Sequence, residues 1–301
     1  MVLVVKQTAC NSISLHLVSG NLIVQASSRP QEGIPLMKNG NVPLDGDALK
    51  INEADLPKFK GCPWLKRLVG GEELLNGRKR WVLWLKDVPM EEISEHPEVM
   101  KRVELCAALR KKMKKGHECP DPRVFMSTLN PSSFLAVPLI FSEMRPYVIA
   151  DFFDGCFIPT NQVQIVSNAE TYHFGVLSSA MHMTWILAVA GRLDLRMRYS
   201  ESMCWNTFPW PCSPNSFLKQ EIGKAAEEVV LARKEQSKAS LAELYDCKPM
   251  PSRLKQAHQQ LDALVDRIYG AESNPSADRR LNILTEMYCG AKRMPQIEDW
   301  M

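Results

Sequence analysis

The stretch FGVLSSAMHMTWILAVAGRLDLRMRYSESMCWNTFPWP, residues 174–211, decides the fold. Its first part overlaps the apolar run 170–190. The apolar residues of that run recur at helical spacing and would lie on nearly all sides of a helix. That pattern predicts one buried central helix, with Gly191 as its natural end. Residues 192–200 then alternate between polar and apolar side chains, which is typical of a β-strand with one buried face. The stretch ends in aromatic and proline residues, and we expect those aromatic side chains to pack in a core.

The polar side chains of this predicted strand form a single row. Arg192, Asp194, Arg196, Arg198 and Ser200 fall on one face because successive side chains of a strand point to opposite sides. Neighbouring arginines repel one another, and an anionic ligand removes that conflict. Arginine also reads guanine through two parallel hydrogen bonds, and aspartate accepts one from cytosine. The row therefore suits DNA, and the competing interpretation is an ordinary half-exposed strand.

A second candidate surface is the polar segment around Asn161 and Gln162, which precedes an apolar run. Asparagine and glutamine are the natural readers of adenine in the major groove. The alternative is that the segment is only a polar loop.

Positive charge is concentrated in one region, although the net charge of the chain is only +3. Residues 60–115 hold 14 Lys or Arg against 8 Asp or Glu, and much of the excess is the run RKKMKK at 110–115. A basic patch is the first indication of an anionic partner. Lys111 and Lys112 are therefore candidate contacts to DNA phosphates, unless the run is simply a solvated helix end.

The sequence predicts no catalytic residue, no bound cofactor and no metal site in this chain. It contains no GxGxxG, Walker A, GxSxG or HExxH motif, and neither F-x-G-x-G nor Asn-Pro-Pro-Tyr. The residues of Met181-His182-Met183 are expected in the core, and His117-Glu118-Cys119 is not expected to hold a metal. Nine cysteines without any CxxC favour reduced thiols and a cytoplasmic location. No apolar run reaches the ~20 residues that cross a bilayer, so no membrane span is expected.

The rest of the chain predicts an α+β fold in two domains. We expect a hairpin at 13–26, strands at 80–86, 133–141 and 146–153, and a helix over 97–115. After the proline-rich stretch 209–214 the pattern changes to four helices with short connections. The predicted domains are therefore a mixed sheet-and-helix domain, 1–211, and a C-terminal helical bundle, 212–301.

Several motifs resemble those of the MmeI-like DNA methyltransferases, which are type IIG/IIL restriction–modification enzymes. The resemblance rests on Gly-Arg-Leu at 191–193, Arg-Tyr-Ser at 198–200, and Asn-Thr-Phe-Pro-Trp-Pro at 206–211. GNVPLDG at 40–46 and RWVLWL at 80–85 agree as well. It extends over about residues 13–290 and matches only the family's last two domains, the target-recognition domain and the helical C-terminal domain.

The resemblance implies a function and assigns residues to it. In the family, bases are read between Gly-Arg-Leu and Arg-Tyr-Ser, which here points to Asp194 and Arg196, and in the loop upstream of the central helix. That upstream loop corresponds, less directly, to Asn161 and Gln162.

The residues beside the proposed base-reading positions are assigned to backbone contacts or to structure. Arg192, Arg198 and Ser200 belong to the fixed parts of the family motifs and are assigned to DNA phosphates or to structure, together with Lys111 and Lys112.

The full-length enzyme is then expected to flip an adenine and methylate it from S-adenosylmethionine bound outside this chain. Its partners are double-stranded DNA and the upstream methyltransferase domain of the same protein. Two other hypotheses stay open: a protein-interaction module with no direct base reading, and a small enzyme with an unrecognised site.

Overall fold

A computed structural model describes residues 5–8, 12–17, 20–194, 196–211, 215–236, 238–246, 249–272 and 274–293. Among these residues the strands are β1 (Val5–Thr8), β2 (Ser12–Leu17), β3 (Gly20–Gln25), β4 (Met37–Asn39), β5 (Lys50–Asn52), β6 (Leu65–Val69), β7 (Arg80–Leu83), β8 (Ser133–Pro138), β9 (Ile140–Ser142), β10 (Asp151–Asp154), β11 (Phe157–Pro159), β12 (Val163–Ser167), β13 (Gly191–Leu193) and β14 (Arg196–Arg198).

The helices of the same residues are α1 (Gly71–Asn76), α2 (Met90–Ser94), α3 (Pro97–Lys112), α4 (Thr171–Leu177), α5 (Ala180–Val189), α6 (Ser216–Lys234), α7 (Leu241–Asp246), α8 (Ser252–Ile268) and α9 (Ala277–Arg293). Short 3-10 turns at Glu53–Phe59 and Gly116–Glu118 and a π-helical turn at Glu201–Trp205 complete the elements. Sheets and helices are mixed in the first two thirds and helices alone follow, so the predicted α+β class is confirmed.

The chain forms two compact units that are interleaved in sequence. The first comprises residues 1–37, 140–150 and 168–301, and the second comprises 38–139 and 151–167. This division rests on spatial contacts, so the domain boundary predicted at 211/212 stays a prediction.

The second unit contains two four-stranded sheets, ordered β11-β6-β7-β5 and β10-β8-β12-β4. Helix α3 lies against the core beside the first of them through Val99, Val103 and Cys106, which recur at the i, i+4, i+7 spacing of one helix face. Leu105 is also apolar, but it lies about 100° round the axis from Cys106, outside this face, and is 44% exposed.

The first unit holds the predicted central helix, and the structure corrects its continuity. The run 170–190 is buried as predicted, but it forms two helices, α4 and α5, with a break at Ser178 and Ser179. The Ser179 hydroxyl accepts from the backbone N–H of His182 and donates to the Val176 carbonyl. Serine at this position therefore ends one helix and caps the next.

The C-terminal helices pack directly against this central pair. Helix α6 lies against α4 and α8, and α9 lies against α5. Gly175 permits the close approach of α4 to α6, because a Cβ there would lie 2.8 Å from a methyl carbon of Ile222. The four predicted C-terminal helices and the hairpin predicted at 13–26 are confirmed.

The bounds of two predicted strands, 133–141 and 146–153, are corrected. Residues 133–138 form β8, which pairs with β10, but β9 leaves this sheet and pairs with β14 in the first unit. Residues 148–150, which the sequence places in a strand, are instead fully buried core. Their apolar character reflects packing and not strand pairing. Within the described ranges, no helix has both the length and the apolar character needed to cross a membrane.

Candidate nucleic-acid interface

The row predicted at 192–200 is a hairpin and not one continuous strand. β13 and β14 pair antiparallel, with Leu193 opposite Arg196 and Arg192 opposite Met197. The chain reverses at Asp194, whose φ of 56° lies in the left-handed region, while Leu195 lies outside the described residues. Aspartate tolerates this conformation better than most residues, and the polar alternation alone did not reveal it.

The hairpin divides the predicted row between two faces. Arg196 and Arg198 lie on the same face as Leu193 because cross-strand partners and alternate residues share a side. Arg192 lies on the opposite face and forms an ion pair with Glu143. A ligand on the outer face therefore meets two arginines and one leucine, and not the three aligned arginines that the alternation predicts.

Asp194 and Arg196 are brought together at the tip of this hairpin. Arg196 Nη2 lies 3.8 Å from Asp194 Oδ2, and the side chains are 56% and 84% exposed, respectively. An exposed ion pair this long contributes little to stability. Each group can therefore leave the other and bind a ligand at a small cost in free energy. A cation and an acceptor side by side are the two functions needed to read a G·C pair.

The reverse side of the hairpin is held in the core. Met197, Phe141 and Tyr199 are buried, and β14 pairs with β9 on its other edge. The Tyr199 hydroxyl lies 2.9 Å from Nε2 of His182. Burial lowers the pKa of His182 to about 3, so the ring is neutral at physiological pH. The outer face of β14 is therefore backed by buried side chains and a neutral histidine.

The flanking residues Arg198 and Ser200 differ in exposure. The Arg198 side chain is exposed and has no ion-pair partner among the residues that the structure describes. Ser200 is half-buried, and its carbonyl accepts from the N–H of Cys204 at 2.8 Å. Ser200 thus begins the π-helical turn that follows the hairpin, and Arg198 is available to a ligand.

Asn161 and Gln162 belong to the second unit, in the loop between β11 and β12. Both side chains are exposed while their backbone is fixed. The Asn161 N–H donates to the Asn41 carbonyl at 2.8 Å, and the Gln162 carbonyl accepts from the N–H of Leu139 at 2.9 Å. Fixed backbone with exposed amides is the arrangement that base reading requires, and the reading itself stays a prediction.

Gly40 and Asn41 hold this loop, a role that the motif resemblance did not reveal. Asn41 is fully buried and its amide donates to the carbonyls of Leu129 and Pro159, at 2.8 and 3.0 Å. A Cβ on Gly40 would lie 2.1 Å from the Thr160 carbonyl oxygen, so only glycine fits. The sequence signal available for this turn was Gly-Asn-Val-Pro, because glycine, asparagine and proline are typical turn residues.

The basic run at 110–115 contains one residue that cannot face DNA. Arg110 is 4% exposed, and its guanidinium donates to four backbone carbonyls between residues 44 and 124. Lys111 and Lys112 are exposed at the C-terminal end of α3. The candidate phosphate contacts are therefore the lysines, while the arginine anchors the following loop.

The aromatic motif packs in the core, as predicted. Trp205, Phe208 and Trp210 are buried, and the Trp205 and Trp210 rings lie 4.8 Å apart. His182 is buried against Phe208, with ring centroids 4.5 Å apart, which confirms the core interpretation of Met181-His182-Met183. In the part of the chain that the structure describes, no group of three His, Cys, Asp or Glu residues is placed to hold a metal ion.

Two family models match this chain, one after the other. The model described as "MmeI, target recognition domain" matches residues 19–212, and the one described as "MmeI, C-terminal domain" matches residues 215–293. The chain belongs to the MmeI family. It matches the family's target recognition domain and the C-terminal domain that follows it, and the predicted resemblance is confirmed.

Two relatives of the MmeI-family chain are informative. DNA methyltransferase A of Bacillus subtilis (strain 168) is 34% identical over 288 residues, which cover 92% of this chain and 32% of that protein. A solved structure of the type IIL restriction-modification enzyme MmeI in complex with DNA has a TM-score of 0.84 and 34% identity, covering 90% of this chain and 37% of that one. The chain thus spans about a third of the length of each relative.

Proposed function

We propose that this MmeI-family chain reads the base sequence of double-stranded DNA for a longer enzyme. The observation that carries the proposal is the exposed Asp194–Arg196 pair at the tip of a hairpin that is backed by the buried Met197. The solved MmeI relative was determined in complex with DNA, which supports duplex DNA as the ligand. Asn161 and Gln162 are the second proposed set of base-reading side chains.

The phosphate contacts are proposed separately from the base contacts. Lys111 and Lys112 are exposed cations at the end of α3, and Arg198 is an exposed cation beside the reading pair. Phosphate contacts position a protein on DNA without reading sequence. Arg192 is already paired with Glu143, so for it we favour a structural role, as we do for Ser200.

The chemistry of the full-length enzyme is also a proposal. The relative in Bacillus subtilis is a DNA methyltransferase, which supports methyl transfer to DNA. We further propose that the methyl donor is S-adenosylmethionine and that the target is a flipped adenine. This chain holds none of the motifs that bind that cofactor, so we assign it to an upstream methyltransferase domain of the same protein. The cysteines at 62, 106, 119, 156, 204 and 289 are free thiols, which supports a reducing, cytoplasmic location.

A gel shift with random-sequence duplexes at about 50 and 200 mM salt tests the proposal. The wild-type chain should bind and enrich a short motif over repeated selection, and its affinity should fall steeply with salt, roughly as the number of phosphates contacted. Asp194→Ala with Arg196→Ala should still bind but lose enrichment at one position. A chain that binds no duplex, or that binds without enriching any motif, would support the protein-interaction hypothesis instead.

A further inference from the structure

The reading hairpin lies in a three-stranded sheet. Besides the chain after β14, which runs into the buried Tyr199, two segments connect this sheet to the rest of the first unit. β13 follows directly from helix α5, and β9 leads into the segment 143–150. The strands pair in the order β13-β14-β9, with Arg196 opposite Ser142. Because β14 is paired in register with β9, we expect a shift of either connecting segment to displace the proposed reading pair.

One carboxylate in the C-terminal helices joins both connecting segments. Asp262 lies on α8, and its Oδ1 accepts from the N–H of Ala180, the first residue of α5, at 2.7 Å. Its Oδ2 accepts from the Tyr147 hydroxyl, in the segment beyond β9, at 2.8 Å. A negative charge at the N-terminus of α5 is also favourable to the dipole of that helix. The two oxygens of Asp262 therefore link the helix before the hairpin to the segment after β9.

Other C-terminal residues hold the same segment, so Asp262 acts within a set. Arg233 of α6 donates to the Ala150 carbonyl at 2.8 Å. The Tyr147 ring stacks on His258 of α8, with centroids 3.8 Å apart and planes 11° apart. Asp262 differs from Arg233 and His258 in that its side-chain oxygens hydrogen-bond both to the first residue of α5 and to the segment beyond β9.

We propose that Asp262 is a positioning residue for base reading, a role that rests on the proposed function above. It does not touch DNA. It fixes the start of α5 relative to the segment beyond β9, and thereby fixes the outer face that carries Arg196. Loss of this link should reduce discrimination between bases more than it reduces total DNA binding, since phosphate contacts tolerate small shifts better than paired hydrogen bonds to a base edge do.

The chain supplies a matched control on the same helix. Asp266 lies one turn beyond Asp262 and is also paired through both oxygens, but with Arg280 of α9, at 2.8 and 2.7 Å. It contacts neither α5 nor the segment 143–150 through any side-chain hydrogen bond of the described residues. Asp266→Ala should therefore lower stability without changing base discrimination.

The test measures binding of the wild-type motif, selected with the full chain, against each single-base variant of that motif. Asp262→Ala should reduce discrimination at the position read by Arg196 by about tenfold, a size typical of one base contact. Asp262→Asn keeps an acceptor for Ala180 and a polar partner for Tyr147, so it should restore most of the discrimination. All variants are compared well below their own melting temperatures.

Two further outcomes decide the inference. If Asp262→Ala does not fold, Tyr147→Phe replaces it, because that change removes one of the two links and keeps the stacked ring; discrimination should still fall several-fold. Equal discrimination in wild type and in the folded Asp262 or Tyr147 variants overturns the inference and leaves the proposed function intact. The same loss in Asp266→Ala also overturns it, because the effect is then one of stability. A wild-type chain that enriches no motif overturns the proposed function first.

Discussion

Asp194 and Arg196 lie side by side at a hairpin tip, with Oδ2 of the aspartate 3.8 Å from Nη2 of the arginine and both side chains mostly exposed. The next residue of the strand, Met197, is buried on the opposite face. This relationship predicts that the pair reads one base pair as a unit. Asp194→Lys with Arg196→Asp should exchange the donor and acceptor positions and change the preferred base at one position of the selected motif, by ~1–3 kcal/mol of discrimination. Sequence selection on duplex DNA measures it, and an unchanged motif would show that the pair does not read bases.

The lysines at the end of α3 should affect DNA binding and not stability, and the arginine beside them should affect stability. Lys111→Ala with Lys112→Ala should leave the free energy of unfolding unchanged. The double change should also reduce the log–log slope of DNA binding against salt by about 0.9 for each phosphate that the protein no longer neutralises. Arg110→Met should lower the free energy of unfolding by about 3 kcal/mol or more, because four carbonyls, one buried and three part-buried, lose their donor. A normal salt slope in the double lysine variant would contradict the phosphate assignment.

A single methyl group at position 40 should disturb the loop that carries Asn161 and Gln162. Gly40→Ala places a Cβ 2.1 Å from the Thr160 carbonyl oxygen, and we expect a loss of about 1–3 kcal/mol in the free energy of unfolding. Gly191→Ala is the control, because nothing lies within 4 Å of its Cβ. Urea denaturation followed by tryptophan fluorescence compares the two variants, and equal midpoints would show that the loop relaxes freely.

The pair Arg145 and Asp246 should stabilise the first unit measurably. Two bonds of 2.8 Å join the guanidinium to the carboxylate, and the arginine side chain is only 9% exposed. Asp246→Ala leaves that buried cation without its partner and should lower the free energy of unfolding by about 1.5–3 kcal/mol. Glu221→Ala, which removes the exposed pair with Lys224, should cost less than about 1 kcal/mol. Similar losses in both variants would contradict this ranking.

Stability should fall in acid through His182. Its folded-state pKa, lowered by burial to about 3, lies below the value of the unfolded chain, so the unfolded state binds the extra proton as pH falls below about 6.5. The contribution of the neutral His182 ring to the free energy of unfolding is complete above that pH. It is lost on acidification, at about 1.4 kcal/mol per pH unit. His182→Gln keeps an amide near the Tyr199 hydroxyl but does not titrate, so unfolding measured at about pH 7, 6 and 5 should show a smaller slope. An unchanged slope would mean that the ring is protonated in the fold.

Local patterns in the sequence were sufficient for much of the fold. Apolar spacing and breakers such as proline and glycine act over a few residues. They predict the C-terminal helices, α3, the hairpin at 13–26 and the burial of 174–189. The family motifs also identified the recognition and C-terminal domains, because those motifs are long and specific. For the same reason, the pair Asp194 and Arg196 could be selected from the sequence alone.

Tertiary contacts decided what local patterns leave ambiguous. Residues 192–200 alternate as well in a hairpin as in a strand, and β14, the strand after the reversal at Asp194, pairs on its other edge with β9, about fifty residues away. Arg110 resembles its lysine neighbours in sequence, yet carbonyls brought together by the fold bury it. Nothing in the sequence distinguishes Asp262 from the other acidic residues, and only the folded position of α8 brings it within hydrogen-bond distance of Ala180 and Tyr147. Each case depends on a partner distant in the chain, and spacing along a sequence carries no record of which distant groups the folded core brings within hydrogen-bond distance.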